Sequence, residues 1–385
     1  MCGICMPHCP TFGLTQHEAD GPRGRIRLML SLAEQSLEAD QTTQAHLQSC
    51  LGCRACEQAC PSNVAYGSLI DQTRSYLAQT HPEAHPGGKD AERIRWWRDQ
   101  ILSHPNRLAA LWHLQQTFAT GWLRPVAGKL AGPLAPLMPN KRMKPSTAAP
   151  PASTPASNAM RIVLYSGCTG KSANRNVRKA AKAVLKALGF MVVEPGGQRC
   201  CGAMHQHDGA VETAEQLRTE NRELLRAANP EAVVVLGTAC TAELQALTDL
   251  DCPVIELSHF LTTVDAQHWP TIHPLQHRVL VHTPCSQRNA LGQAESSFLL
   301  LQRIPGLDCQ PLAENERCCG AGGLQALYFP EQAQKLLRPK LDDAHKQNAD
   351  SIVSANVGCV LHMQNQTQLP VYHPVELIAQ AMARS

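Results

Sequence analysis

The sequence contains no run of about 18 apolar residues, so no helix able to cross a bilayer is expected. It has no excess of either charge. Lys and Arg number 35 against 32 Asp and Glu, and a net charge of +3 is too small to argue for nucleic acid or an anionic membrane surface. A nucleophile elbow, a phosphate loop and a dinucleotide fingerprint are all missing. Gly320-Ala321-Gly322-Gly323 follows a cysteine pair and reads instead as close approach of backbone to a site there. A signal peptide is not expected, because the first cysteine motif begins at residue 2 and leaves no room for one. What remains is a chain of 385 residues, 43% hydrophobic, which suffices for cores in two or three domains.

What is abundant is cysteine. Seventeen of them without an export signal point to reduced thiols and metal rather than disulfides. One run reads Cys50-x2-Cys53-x2-Cys56-x3-Cys60-Pro61. An earlier one, Cys2-x2-Cys5-x3-Cys9-Pro10, has the same form without its leading cysteine. This is the run of bacterial two-cluster ferredoxins, in which the fourth cysteine ligates the other cluster. Cys50, Cys53, Cys56 and Cys9 therefore make one complete four-thiolate site, and Cys2, Cys5 and Cys60 make one that is a ligand short. The odd cysteine count and the crowding argue against a disulfide framework. Structural zinc uses two separated pairs, not a triplet followed by Cys-Pro. Two [4Fe–4S] clusters are expected. The slot of the missing cysteine falls two positions before Met1, so an earlier start carrying it is expected; failing that, the short site holds a [3Fe–4S] cluster or a labile [4Fe–4S] one.

Between the runs, Asp20-Gly21-Pro22-Arg23-Gly24-Arg25 is a turn signal leading into a helix over residues 26–38. Arg23 and Arg25 are either a solvated turn or positive charge beside an anionic cluster, which would raise its potential. A helix over 62–78 closes a ferredoxin-like unit at 1–80. Residues 81–131 hold four of the five tryptophans (Trp96, Trp97, Trp112, Trp122) among Arg93, Arg95, Arg98, Arg107 and Arg124. They read as a connector of one or two amphipathic helices packed on the ferredoxin unit, or as a surface for a partner subunit or membrane interface. Residues 132–160 are rich in Pro, Ala and Ser and read as a linker.

Beyond the linker the chain repeats itself. Residues 161–265 carry Arg161-Ile162-Val163-Leu164-Tyr165, Cys168, Cys200-Cys201-Gly202 and Cys240. Residues 266–385 carry Arg278-Val279-Leu280-Val281-His282, Cys285, Cys318-Cys319-Gly320 and Cys359. Equivalent cysteines are offset by 117, 118 and 119 residues, which marks a duplication. Short β-branched strands alternating with helices give α/β units with mostly parallel sheets, whose ligands gather beyond strand ends. Each repeat thus brings four cysteines together, either on a further cluster or as buried structural residues. Cys252 and Cys309 have no counterpart and read as core. His205 and His207 read as hydrogen-bonded structural residues.

The tandem runs, the Asp20 to Arg25 segment and two cysteine-rich CCG units together resemble the iron–sulfur subunit of glycolate oxidase (glycolate dehydrogenase). CCG units alone occur also in heterodisulfide reductase and lactate-utilisation proteins. The resemblance implies an α+β multidomain chain: a helical two-[4Fe–4S] ferredoxin-like domain, a helical connector and two repeated α/β units. It implies an electron-transfer subunit that is not catalytic alone. Electrons would come from an FAD-containing glycolate-oxidising subunit, with a second flavoprotein-like subunit in the complex, and leave to a quinone or another carrier. The chain would be cytoplasmic, or peripheral on the inner face of the cytoplasmic membrane. The alternatives are the iron–sulfur subunit of a D-lactate or other 2-hydroxy-acid dehydrogenase, and a heterodisulfide reductase-like catalytic subunit. The CCG unit of heterodisulfide reductase ends Cys-x2-Cys. Here the last positions are Glu243 and His362, and His362 joins the candidate ligands because imidazole also binds iron in Rieske centres.

Overall fold

The computed structural model describes residues 2–118, 132, 138, 158–247 and 249–383. Trp122, Arg124 and most of the linker lie outside them. Two four-stranded sheets carry the second half, with strand orders β2-β1-β3-β4 and β6-β5-β7-β8, where β1 to β4 are Arg161–Tyr165, Met191–Val193, Ala232–Val235 and Val254–Glu256, and β5 to β8 are His277–His282, Leu307–Pro311, Ser351–Ser354 and Val371–Tyr372. Every pairing is parallel. The identical order in the two sheets is the duplication seen as topology. Central strands such as Ala232–Val235 are buried along their whole length, which is why they read as unbroken apolar runs.

Helix Arg175–Ala187 buries Val177, Ala180, Ala181, Val184 and Leu185, a stripe at helical spacing. The C-terminal helix Pro374–Met382 of the other repeat packs against it in the same core, which also takes Leu164, Val234, Val281 and Val353. One hydrophobic core thus spans both repeats. On the outer faces each repeat keeps a smaller core, which includes Cys201 in the first and Cys319 and Cys359 in the second.

The N-terminal unit is helical. The segment expected to be a helix over 26–38 runs Pro22–Ala33, because Pro22 fixes the backbone at its first turn. The closing helix is Tyr66–Thr80. The connector forms helices Gly88–Trp97 and Pro105–Phe118 with a π-turn over Arg98–Leu102 between them. Its apolar side chains do not turn to the ferredoxin-like unit as expected. Ile94, Leu102, Leu108 and Trp112 pack with Ala173, Met204, Leu324 and Tyr328 of the two repeats. Polar contacts agree: buried Arg98 pairs with Asp208, and His205 Nε2 lies 3.2 Å from Asp99.

The ferredoxin-like unit is held against both repeats. Buried Arg74 donates from Nη2 to the carbonyls of Cys50 (2.6 Å) and Gln48 (2.9 Å), and from Nη1 to the carbonyl of His207 (3.1 Å) in the first repeat. Toward the second repeat, Asn289 Nδ2 donates to the Cys53 carbonyl at 2.8 Å, and Gln58 Nε2 to the Asn289 carbonyl at 2.8 Å. Gln332 Nε2 donates to the Ser49 carbonyl at 3.0 Å.

Candidate metal centres

Cys9, Cys50, Cys53 and Cys56 line one cavity, together with Pro10, Thr11, Arg25, Leu51 and Tyr66. Cys9 sits immediately before helix Pro10–Thr15, and Cys56 lies in the short helix Ala55–Gln58. The four side chains that spacing assigned to the complete site are therefore neighbours, although Cys9 comes from the other run. Arg25 is 1% exposed and donates to Thr11 Oγ1 (3.0 Å), Ser49 Oγ (2.9 Å) and the His46 carbonyl (2.6 Å). Burial alone would push the Cys50 thiol up. Arg25 and Arg74, the Gly52 N–H and Tyr66 outweigh it and hold Cys50 below its ordinary value. Four thiols around one cavity, faced by a buried guanidinium, are a donor set and a charge that fit an anionic cubane cluster. Of the two arginines, Arg25 is the buried one. Arg23 is half-buried and pairs with Glu18 at 2.6 Å, with the thiols of Cys5 and Cys2 also near it, so it stands by the incomplete set rather than at this cavity.

Cys2 is exposed, and Cys5 and Cys60 are half-buried. Cys5 is raised chiefly by burial, and the nearby thiols of Cys60, Cys2 and Cys9 add to the rise.

In the first repeat, Cys168 follows β1, Cys200 and Cys201 follow β2 and Cys240 follows β3, all beyond the carboxyl ends of parallel strands. Cys201 Sγ is 3.3 Å from Cys240 Sγ. Cys200 is held well below its ordinary value by hydrogen bonds from Cys168 and Cys201, against burial, with His205 and the Gly202 N–H adding to them. Glu243, one turn beyond Cys240, pairs with Arg218, which also holds Glu215 at 2.8 Å.

The second repeat repeats the placement. Cys285 Sγ is 3.8 Å from Cys318 Sγ. His282, Cys319 and Cys359 each bring one donor atom within 4.8 Å of the others. His362, one turn beyond Cys359, is buried with Nε2 3.3 Å from the Ala333 carbonyl. Buried Lys340 gives its ammonium to the Ala313 carbonyl at 3.3 Å and to that of Glu314, and Cys318 and Cys319 oppose the fall that burial imposes on it.

The glycine of each Cys-Cys-Gly has a physical reason beyond approach to the site. Gly202 and Gly320 have φ of +94° and +91°, and a Cβ there would meet the carbonyl oxygens of Ala214 (3.1 Å) and Ala333 (2.7 Å). Each closes on the helix behind it, and the Gly320 N–H also reaches Cys318 Sγ at 3.4 Å. Of the later glycines, Gly322 approaches the ferredoxin-like unit, its Cβ position lying 3.1 Å from Leu51.

The two regions of thiols adjoin. Leu51 and Cys53 pack with Cys285, Cys318 and Leu336 in one cluster. Sequence reasoning had no signal for this contact, nor for Tyr66 (Oη 3.7 Å from Cys50 Sγ), Arg74, Asn289 or Lys340. His282 did carry one: it stands three residues before Cys285, where the first repeat has Tyr165 before Cys168. His207 is hydrogen-bonded as expected, to Asp71 at 3.1 Å, whereas fully buried His205 makes no hydrogen bond of good geometry and faces Asp99 with Nε2 at 3.2 Å. Cys252 and Cys309 are half-buried against the repeat cores.

Comparison with known proteins agrees with this geometry. Residues 1–64 match the 4Fe-4S dicluster domain, and residues 162–245 and 279–364 each match the cysteine-rich domain. The chain is 28% identical over 391 residues to a probable glycolate oxidase iron-sulfur subunit of Bacillus subtilis, covering 94% of this chain and 87% of that one. With the glycolate oxidase iron-sulfur subunit of Escherichia coli it is 27% identical over 401 residues, covering 100% and 93%. Lactate utilization protein A of Geobacillus thermodenitrificans is 26% identical over 219 residues, which is 53% of this chain and 90% of that one.

Proposed function

The chain belongs to the iron–sulfur proteins built from a 4Fe–4S dicluster domain and paired cysteine-rich domains, and from that membership and its end-to-end likeness to glycolate oxidase iron–sulfur subunits we propose that it is the electron-transfer subunit of a glycolate-oxidising complex. Its partner is a flavoprotein that removes electrons from glycolate, and its acceptor is a quinone or another carrier. Cys9, Cys50, Cys53 and Cys56 hold one [4Fe–4S] cluster, and Cys2, Cys5 and Cys60 the second. When bound, such clusters supply one-electron steps between a two-electron flavin and the acceptor.

The observation that carries the reading is the single cavity lined by Cys9, Cys50, Cys53 and Cys56, with Cys53 packed against Cys285 and Cys318. At that cavity buried Arg25 brings positive charge to the thiolates. Asn289 and Gln58 fix the distance between the N-terminal thiols and those of the second repeat. Among the described residues no helix is long and apolar enough to cross a membrane.

The likeness to lactate utilization protein A favours D-lactate or another 2-hydroxy acid as the second reading. Co-expression with the flavoprotein partners, followed by anaerobic addition of glycolate or D-lactate and EPR of the clusters, separates the two by which acid reduces them. Thiol–disulfide turnover by the isolated chain is the outcome that would favour a heterodisulfide reductase-like catalytic subunit instead.

A further inference from the structure

The two cysteine-rich repeats are copies in topology but not in chemistry. Where β1 ends in Tyr165, β5 ends in His282, and the two positions are equivalent by the same 117-residue offset that relates Cys168 to Cys285. Tyr165 is satisfied within the protein: its hydroxyl donates to the Arg199 carbonyl at 2.7 Å. His282 is not. It is 1% exposed, its Nδ1 lies 3.0 Å from Ser354 Oγ, and its Nε2 has no hydrogen-bond partner. Leaving a buried polar nitrogen unpaired costs about 1–3 kcal/mol, so an orphan of this kind calls for an explanation.

The thiols around the imidazole supply one. Cys319 and Cys359, 1% and 2% exposed, each bring a sulfur within 4.8 Å of the imidazole donor and of one another. Ligating histidines almost always commit the second ring nitrogen to a hydrogen bond that fixes tautomer and orientation, which is the part Ser354 plays at Nδ1. Cys318, the chain neighbour of Cys319, has Cys285 at 3.8 Å, so two further thiols extend the donor set toward Cys53. Buried Lys340 places a positive charge beside Cys318 and Cys319, which offsets the charge of bound thiolates. We propose that the second repeat holds an iron–sulfur cluster in which His282 Nε2 is a ligand together with Cys319 and Cys359, a ligand that Tyr165 at the equivalent position of the first repeat does not offer.

Three soft donors converging on a point also suit zinc, with three protein ligands and one position open. The extra pair of thiols at Cys285 and Cys318, directed at the neighbouring four-cysteine cavity, favours a polynuclear site over one tetrahedral ion. His362 is not the imidazole the site uses, since its Nε2 faces the Ala333 carbonyl. The assignment deepens the electron-transfer reading: the second repeat becomes the redox neighbour of the Cys9, Cys50, Cys53 and Cys56 site.

The test is pulsed EPR on the full chain, purified anaerobically and reduced, grown once with natural-abundance histidine and once with ¹⁵N-histidine. The proposal expects a directly coordinated ¹⁴N coupling that becomes ¹⁵N on labelling and disappears in His282→Asn, with iron per chain above that of two ferredoxin-type clusters in the wild type. Tyr165→Phe should retain the coupling. Absence of imidazole coupling in the labelled wild type overturns the proposal without reference to any variant. So does a coupling that survives His282→Asn, or zinc in place of the extra iron. Those results would leave ferredoxin-type signals intact, and with them the electron-transfer reading. Loss of all iron–sulfur signals from the wild type would overturn both.

Discussion

Asn289 Nδ2 donates a hydrogen bond of 2.8 Å to the backbone carbonyl of Cys53, across 236 residues of sequence. The bond joins a loop of the second cysteine-rich repeat to the cysteine run of the ferredoxin-like unit, at the place where Cys53 packs against Cys285 and Cys318. It is a short covalent and hydrogen-bonded route between two groups of thiols. Asn289→Leu removes the donor and leaves the Cys53 carbonyl unpaired, at a cost of about 1–3 kcal/mol. Cluster content should stay near wild type while flavin-to-acceptor electron transfer slows severalfold, read by stopped-flow bleaching in the assembled complex. An unchanged rate would show that electrons do not pass here.

Arg25 brings a buried positive charge to the cavity of Cys9 and Cys50. At roughly 6 Å and an effective dielectric of about 20, a unit charge contributes about 3 kcal/mol, on the order of 100 mV for one electron, as an upper bound. Arg25→Gln should therefore lower the potential of that cluster by several tens of mV or more, and Arg25→Lys should restore part of the loss. Redox titration monitored by EPR reads both, and Arg23→Gln, at the Cys2 and Cys5 end, is the control that should shift this cluster little.

Gly320 has φ of +91° and no space for a Cβ, which would lie 2.7 Å from the Ala333 oxygen and 2.9 Å from its Cα. Gly320→Ala should destabilise the protein by on the order of 2 kcal/mol or more, a Tm loss of several degrees in thermal unfolding. Gly202→Ala, with its nearest contact at 3.1 Å, should cost less. Equal losses at the two sites would contradict the packing argument.

Glu256 and Glu376 stand at the start of equivalent helices after β4 and β8, and burial raises each from 4.5 to about 7. A carboxyl whose folded pKa lies above its unfolded value binds more protons when folded. Its contribution is thus complete below about 4.5, falls as pH rises toward about 7 and is flat above. Each group can account for about 3 kcal/mol at most. Glu256→Gln removes one of these groups, so the difference in Tm between variant and wild type should grow in the variant's favour from pH 5 to pH 7.5. A difference independent of pH would show that Glu256 is ionised when folded.

Much of this was legible in the residues because cysteine spacing and the 117-residue offset are local or periodic signals. The strand Ser351–Ser354 and the pairing of Cys9 with the later run follow from them directly. The packing of the connector was not legible. An amphipathic stretch such as Gly88–Trp97 announces an apolar face without naming its partner, and Ala173 and Leu324, which receive it, are unremarkable in sequence. The glycine of Cys-Cys-Gly was legible as a glycine that must be there, but its reason, a helix backbone pressed against it, is tertiary. Nor does a lone Asn289 or Lys340 signal anything until the fold brings it to a thiol.

The most direct test of the account is reduction of the chain's clusters through its partner. The complex with the flavoprotein is held anaerobically, given glycolate and frozen within seconds for EPR. The account predicts reduced [4Fe–4S] signals that require both glycolate and the flavoprotein, with a cluster bound by Cys9, Cys50, Cys53 and Cys56 among them and lost in Cys53→Ser. A flavin that is reduced by glycolate while every cluster of this chain stays oxidised would contradict it.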